Sequence, residues 1–159
     1  MKNPTGSKMG KYGFRSGGNV NHIRYDHKSR PRKIDIVCPK CSKRAIAIDQ
    51  KASAESELVS NLSAAWRNPR FKIVCTKCMY RASGVSYEQL SEPYHQIDGR
   101  GGILWAWNLE HLNMLHDFLI GQSISGNQYE FYSTYIHGSW KQHSKDYAKK
   151  IERWIEIFV

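Results

Sequence analysis

Four cysteines form two pairs with the same spacing, and they are the residues best suited to bind a metal. Each pair leaves two residues between the cysteines, in Cys38-Pro39-Lys40-Cys41 and in Cys75-Thr76-Lys77-Cys78. Two intervening residues allow both thiolates of a tight turn to reach one ion at about 2.3 Å, and a second such turn completes a tetrahedron. The sequence therefore predicts one structural Zn²⁺ with four ligands, which are Cys38, Cys41, Cys75 and Cys78.

Two other roles stay open for these cysteines. A redox pair of the thioredoxin type needs a helix N-terminus, where the helix dipole lowers the thiol pKa, whereas a strand pattern follows Cys41. Four unrelated buried thiols would not require two pairs of equal spacing. A closed site of four thiolates leaves no coordination position for water or substrate, so the metal is expected to be a scaffold and not a catalyst.

The residues around each cysteine pair alternate between apolar and polar types. Lys33 to Val37 leads into the first pair and Arg44 to Ile48 follows it, while Phe71 to Val74 leads into the second pair and Tyr80 to Val85 follows it. Each pair is therefore predicted at the turn of a β-hairpin. The 33 residues between the pairs are predicted to contain a helical insertion at about 50–68, with an apolar stripe formed by Leu58, Leu62 and Trp66.

These paired turns resemble zinc ribbons, the zinc-binding β-modules of transcription factors, RNA polymerase subunits and many small bacterial proteins. The segment 104–112, with the sequence LWAWNLEHL, is similar to one that follows the ribbon in small uncharacterised bacterial zinc-ribbon proteins, as is the Trp-containing basic tail from Trp140 to Ile155. The resemblance covers about residues 34–158. It implies a ribbon fold and bound zinc, and it carries no settled activity.

The C-terminal part is predicted to contain one strand and two or three helices. Ile103 to Trp107 has the pattern of a short buried strand, and Asn108 is a suitable N-cap for a helix that ends near Gly121. A later helix is predicted with Ser144 as its N-cap, and its apolar stripe includes Tyr147 and Ile151. The predicted fold class is small α+β, with an N-terminal arm (1–33), a zinc ribbon (34–98) and a strand and helices packed against it (99–159).

The net charge of +10 is concentrated at the N-terminus. Residues 1–33 contain nine basic residues and one acidic residue, whereas the remaining 126 residues contain 15 basic and 13 acidic residues. A polar segment without apolar periodicity is typical of a flexible arm, and closely spaced cations with interspersed aromatic rings favour DNA or RNA. A solubilising tail is the alternative. The predicted nucleic-acid contacts in the arm are Lys8, Lys11, Arg15, Arg24, Lys28, Arg30, Arg32 and Lys33.

A second basic surface is predicted on the last helix, where Lys145, Lys149 and Arg153 lie opposite the apolar stripe. The alternative is an ordinary solvated helix face. Before this helix, the aromatic residues Tyr129, Phe131, Tyr132, Tyr135 and Trp140 form a dense group. Core packing is expected for most of them, and only Trp140 is predicted to be an exposed nucleic-acid contact.

The sequence contains no recognisable catalytic motif, so no enzyme is predicted. A nuclease of the His-Asn-His kind would need a catalytic histidine between or near the cysteine pairs, but no histidine lies between Cys41 and Cys75. The sequence also has no Walker loop and no nucleophile elbow. No apolar run approaches a membrane span, and no signal peptide is recognised, so a cytoplasmic protein without a membrane partner is expected. The predicted function is a non-enzymatic nucleic-acid-binding module. The alternative is an adaptor that docks on a larger assembly, of the transcription type or another.

Overall fold

The computed structural model describes residues 31–50 and 70–158, which divide into two compact units. The first unit contains residues 31–50, 70–95 and Trp107–Leu109, and the second contains Gln96–Ala106 and residues 110–158. Most of the predicted arm lies outside the described residues, as does the predicted helical insertion beyond Gln50.

The first unit is built on a four-stranded antiparallel sheet with the strand order β1-β2-β3-β4. The strands are β1 (Lys33–Val37), β2 (Arg44–Asp49), β3 (Arg70–Cys75) and β4 (Arg81–Ser86). The two predicted hairpins are confirmed, with β1 paired to β2 and β3 paired to β4. Because each strand runs opposite to the one before it, the turn after β1 and the turn after β3 lie at the same end of the sheet. Both cysteine pairs are in these turns.

One face of this sheet forms the core of the first unit. Side chains alternate between the two faces of a strand, so residues paired across the antiparallel sheet share a face. Ile34 is paired with Ala47, which is paired in turn with Ile73. Burying an isoleucine or phenylalanine side chain contributes about 1.5–3 kcal/mol to folding. The buried residues of this face include Ile34, Ile36, Ala45, Ala47, Phe71 and Ile73.

The outer edge of β1 is covered by segments that lie far away in the sequence. The backbone N–H of Asp35 donates to the carbonyl of Trp107 at 2.6 Å, and that of Val37 donates to the carbonyl of Glu92 at 2.9 Å. The side-chain amide of Asn108 also donates to the carbonyl of Lys33 at 2.8 Å. Unpaired edge groups would otherwise face water or another chain. The residues around 92 and 107 therefore complete the hydrogen bonding of β1.

Among the described residues, the second unit contains the β5–β6 hairpin and three helices, except for His95 and Leu109, which belong to the first unit. Its strands are β5 (His95–Gly99) and β6 (Gly102–Ala106), and its helices are α1 (Leu109–Leu119), α2 (Gly138–Gln142) and α3 (Ser144–Phe158). A 3₁₀ segment, Glu130–Tyr135, precedes α2, and another, Tyr87–Gln89, follows β4 in the first unit. The predicted strand and both predicted long helices are confirmed. In the described ranges, no helix combines the length and the apolar character that a bilayer span requires.

The helix α1 ends at the glycine that the sequence indicates, whereas α3 begins at Ser144 itself, one residue earlier than a cap at Ser144 would place it. After α1, Gly121 has a φ of 79°, and the N–H of Gln122 donates to the carbonyl of Asp117 at 2.9 Å, as expected for a glycine that terminates a helix. In α3, the Lys150 ammonium lies 3.2 Å from the Asp146 carboxylate, one helical turn earlier. Tyr147 on the buried side of α3 donates its hydroxyl to the carbonyl of Gly102 at 2.6 Å.

The apolar stripe of α3 is buried only over its first half. Tyr147 and Ile151 are fully buried, as predicted, but the chain becomes exposed towards the end of the helix. Phe158 stacks against Trp154 with ring centroids 4.2 Å apart, and it remains 47% exposed. Ile157 is 72% exposed. The last turn of α3 therefore presents apolar surface to solvent.

Candidate metal centre and basic surfaces

Both cysteine pairs lie in tight turns whose backbone hydrogen bonds hold the sulfur atoms on one side. In the first turn, the N–H of Cys38 donates to the carbonyl of Lys43 at 2.7 Å, and the N–H of Lys40 donates to the Cys38 Sγ at 3.4 Å. In the second turn, the N–H of Cys75 donates to the carbonyl of Tyr80 at 2.9 Å. The residue after each pair, Ser42 or Met79, has a positive φ, of 62° and 63° respectively. The two turns therefore share an unusual backbone conformation at the equivalent position.

The shared conformation corresponds to a repeat in the sequence that the cysteine spacing alone does not reveal. Residues 36–45 read IVCPKCSKRA and residues 73–82 read IVCTKCMYRA. Besides both cysteines, the segments share the apolar pair before the turn, the lysine inside it, and the Arg-Ala dipeptide after it. A self-comparison of the sequence would have found this repeat. The two turns are thus two copies of one sequence motif.

The four sulfur atoms form one cluster at this end of the sheet. The Sγ atoms of Cys38 and Cys78 lie 3.6 Å apart, and those of Cys41 and Cys75 also lie 3.6 Å apart. All four lie within 4.8 Å of one another. Four thiolates around one ion at about 2.3 Å stand about 3.8 Å apart, so this cluster suits a four-thiolate metal site. Both of these 3.6 Å contacts join one hairpin to the other.

The structure decides against both alternative roles for the cysteines. The alternative of four unrelated buried thiols is wrong, because the sulfur atoms of all four cysteines lie within 4.8 Å of one another. A redox pair at a helix N-terminus is also wrong as a structural expectation, because each pair lies between two strands. None of the four cysteines forms a disulfide.

The pKa values of two of the thiols, Cys75 and Cys78, are shifted in opposite directions. The backbone N–H of Cys78, joined by that of Lys77, donates to the Cys75 sulfur and lowers the pKa of this thiol to about 6. For Cys78, a hydrogen bond from the Tyr80 N–H lowers the pKa, but desolvation and the three neighbouring sulfur atoms outweigh it and raise the pKa to about 12. One thiolate therefore forms readily here, and a bound cation would favour ionisation of the rest.

The predicted nucleic-acid contacts of the arm fall mostly outside the described residues. Six of them lie there, namely Lys8, Lys11, Arg15, Arg24, Lys28 and Arg30. The other two, Arg32 and Lys33, have half-buried side chains, and Lys33 is the first residue of β1. The arm as predicted therefore overlaps the sheet at its C-terminal end.

The predicted basic stripe of α3 is exposed. Lys145, Lys149 and Arg153 all have exposed side chains. Their neighbour Lys150 instead pairs with Asp146 and donates to the carbonyl of Asp98 at 2.9 Å. These three cations are therefore accessible to a ligand, as a solvated helix face would also be.

The predicted exposure of Trp140 is wrong. Its side chain is fully buried, with its ring centroid 5.9 Å from that of His137. The adjacent Lys141 is exposed, because successive residues of the short helix α2 point in different directions. The aromatic residues Tyr129 and Tyr132 are also buried, which confirms the core packing expected of them.

The histidines form contacts that the sequence did not predict. His95 is buried in the first unit, with its Nε2 2.7 Å from the Asp35 Oδ2. In the second unit, His111 stacks on Tyr129 with ring centroids 5.1 Å apart. The His116 Nε2 lies 2.9 Å from the Glu152 Oε1. Asp35 and His95 are 60 residues apart, and the only sequence signal is an acidic residue between the apolar residues Ile34 and Ile36.

In comparisons with protein-family models, with curated proteins and with solved structures, nothing matches this chain. The likeness to zinc ribbons therefore remains a prediction that rests on the paired cysteine turns. The geometry does establish the class of fold and the presence of a cysteine cluster. The chain is a small α+β protein with antiparallel hairpins, C-terminal helices and a four-cysteine cluster suited to a metal ion.

Proposed function

We propose that this protein is a non-enzymatic nucleic-acid-binding module of the zinc-ribbon type, held together by one structural zinc ion. The observation that carries the proposal is the cluster of four sulfur atoms within 4.8 Å at the joined ends of two hairpins. Each hairpin supplies two ligands, so one metal ion would tie both turns together. A tetrahedral ion with four thiolates has no open position, and the metal would therefore act on folding and not on a substrate.

Zinc is the ion that this set of ligands favours. Thiolates are soft ligands that select zinc, copper(I) or iron–sulfur centres, and four of them in a tetrahedron are typical of structural zinc. The backbone N–H groups that donate to the sulfur atoms, including that of Lys40, stabilise the thiolate form. Two turns with the same backbone conformation would also present their ligands in equivalent ways.

The charge distribution supports nucleic acid as the ligand. Residues 1–33 account for +8 of the net charge of +10, with nine basic residues against one acidic residue. Lys145, Lys149 and Arg153 offer a second accessible basic surface. Cations that neutralise phosphates release condensed counterions, which drives association without regard to base sequence. The proposed ligand is therefore the phosphate backbone of DNA or RNA.

The proposal is tested by measuring affinity as a function of salt. If about six to nine phosphates are neutralised, the affinity for random-sequence duplex DNA or single-stranded RNA falls about 10³–10⁵-fold between roughly 50 and 200 mM KCl. Fluorescence anisotropy with labelled oligonucleotides measures this dependence. Absence of binding, or binding that ignores salt, would overturn the proposal.

The role of the arm is tested with two variants of the full chain. In one, Lys8, Lys11, Arg15 and Arg24 are changed to Gln, which lowers the net charge by four. In the matched control, the uncharged residues Asn3, Ser7, Ser16 and Asn19 are changed to Gln. We expect the first variant to lower the salt slope by about 3–4 and the control to leave it unchanged. Equal slopes for the two variants would remove the arm from the binding mechanism.

A protein-docking adaptor is the second candidate function, and the end of α3 favours it. Ile157 is 72% exposed and Phe158 is 47% exposed, which is unusual for large apolar side chains next to each other. The buried Trp140 is no longer available as the docking anchor. The adaptor is favoured if the wild type retains a defined protein in a pull-down and Ile157→Ser does not, while neither DNA nor RNA is shifted in a gel-shift assay.

A further inference from the structure

The end of the sheet that carries the cysteine cluster is also strongly basic. Both turns and the residues that follow them contribute exposed cations, and we name these four the knuckle cations. None of them has an ion pair with any residue in the described ranges. The knuckle cations are Lys40, Lys43, Lys77 and Arg81.

Neutralising the metal centre does not require this many cations. Four thiolates and one divalent ion carry a formal charge of −2, and the knuckle cations carry +4. Arg44 adds a fifth basic side chain at this end, although its guanidinium lies 3.7 Å from the Asp35 carboxylate. No acidic residue occurs in either repeat, 36–45 or 73–82. This end of the sheet therefore keeps an excess of positive charge after the metal site is balanced.

The repeat places two of these cations in equivalent positions. Lys40 and Lys77 each occupy the second position between the cysteines of their turn, and the backbone N–H of each bonds to the first sulfur of the same turn. Both backbones are thus fixed beside one sulfur cluster, while both side chains extend into solvent. The backbone N–H groups serve the sulfur atoms, and neither needs a lysine side chain. The lysine side chains are left without a role in the metal site.

We propose that the knuckle cations bind the phosphate backbone of nucleic acid, with Lys40 and Lys77 as an equivalent pair of phosphate contacts. This inference rests on the proposed function and specifies a surface that the arm and the α3 stripe do not include. A rigid turn loses little conformational entropy when its cations meet phosphates, in contrast to a chain that must be ordered on binding. The metal centre would then position the contact as well as stabilise the fold.

The test compares two double variants, each of which loses two positive charges at a different end of the sheet. Lys40→Gln combined with Lys77→Gln removes the equivalent pair, and Arg70→Gln combined with Lys72→Gln removes two exposed cations from β3 on the side away from the turns. Both variants are first shown to contain one zinc per chain. Affinity for a random-sequence duplex and for single-stranded RNA is then measured between 50 and 200 mM KCl.

We expect the Lys40 and Lys77 variant to lower the salt slope by about 1.8 and the affinity at 100 mM KCl roughly ten- to sixty-fold, with a much smaller effect of the control. Equal effects of the two variants would overturn the inference, because net charge alone would then explain the loss. An unchanged slope in the Lys40 and Lys77 variant, with wild-type binding intact, would overturn it and leave the proposed function standing. Failure of the wild type to bind would remove both. Equal or tighter binding to polyglutamate would also overturn the inference, in favour of an acidic protein partner.

Discussion

The His95 Nε2 lies 2.7 Å from the Asp35 Oδ2, and both side chains are almost completely buried. Arg44 reaches the same carboxylate oxygen at 3.7 Å from the solvent side. The other oxygen of Asp35 is buried and has no hydrogen-bond partner among the described residues. A buried carboxylate depends strongly on the partners it has, because removing one leaves a charge without compensation. This contact therefore links the centre of β1 to the first residue of β5.

Removing either partner of this pair is expected to destabilise the first unit. Asp35→Ala should lower the free energy of unfolding by about 3 kcal/mol, and a double-mutant cycle with His95→Ala should give a coupling energy of about 1–3 kcal/mol. Urea unfolding of the metal-loaded protein measures both. The control Asp98→Ala removes an exposed carboxylate and should cost less than about 0.5 kcal/mol. A coupling energy near zero would show that the contact does not stabilise the fold.

Loss of a cysteine ligand should unfold the sheet of the first unit. Structural zinc contributes about 10–16 kcal/mol of binding free energy, which is realised only in the folded state. We expect purified protein to contain one zinc per chain, and Cys38→Ser or Cys75→Ser to lose both the metal and the β-sheet signal in circular dichroism. A chelator should have the same effect on the wild type, with recovery on addition of zinc.

Thr76→Ala provides the matched control, because Thr76 lies between two ligands and is exposed. It should retain the metal and the wild-type unfolding midpoint. A Cys38→Ser protein that is folded and still binds one zinc with wild-type stability would contradict the proposed metal centre.

Replacing Met79, the residue of the second turn with a positive φ, by glycine should stabilise the protein. Met79 has a φ of 63° and is 65% exposed, so its side chain has little packing to lose. The left-handed conformation costs about 1–2 kcal/mol for a residue with a Cβ, and the entropy of glycine in the unfolded chain takes back about 0.5–1 kcal/mol. Met79→Gly should therefore raise the free energy of unfolding by up to about 1 kcal/mol, measured by urea unfolding with zinc bound.

Replacing a glycine of positive φ by alanine should instead lower the free energy of unfolding. Gly84 in β4 has a φ of 67°, with open space where a Cβ would stand. Gly84→Ala should lower the free energy of unfolding by about 1 kcal/mol, through backbone strain alone. If Met79→Gly also lowers stability, the positive φ of Met79 is not a source of strain.

The turn between β5 and β6 is expected to require glycine for a different reason, namely close packing. A Cβ on Gly101 would stand 2.5 Å from the carbonyl oxygen of Ser139, and a Cβ on Gly99 would overlap the Tyr147 ring. Gly101→Ala should therefore lower the free energy of unfolding by about 1–3 kcal/mol. Gly138→Ala is the control, because nothing lies within 4 Å of its added Cβ and alanine favours the helix. Thermal unfolding that ranks Gly138→Ala as the more damaging change would contradict this packing.

The local features of the fold follow from the sequence alone. The equal spacing of the cysteine pairs predicts the metal-binding turns, because two residues between ligands bring two sulfur atoms to one side of a tight turn. Alternating residues predict the four strands, and an i, i+3, i+4 pattern with Asn108 and Gly121 at its ends predicts α1. Each of these signals lies within about fifteen residues, so no knowledge of the tertiary fold is needed to read it.

Only the tertiary structure decided which distant segments meet. The N–H groups at the outer edge of β1 donate to the carbonyls of Trp107 and Glu92, and Asp35 meets His95 across 60 residues. No periodicity encodes these contacts, because any strand edge and any polar side chain can find several partners. Trp140 shows the same limit, since an aromatic ring beside cations suits a surface as well as a core. The packing around it buried the ring completely, because a large apolar side chain gains more from a close-packed interior than from solvent.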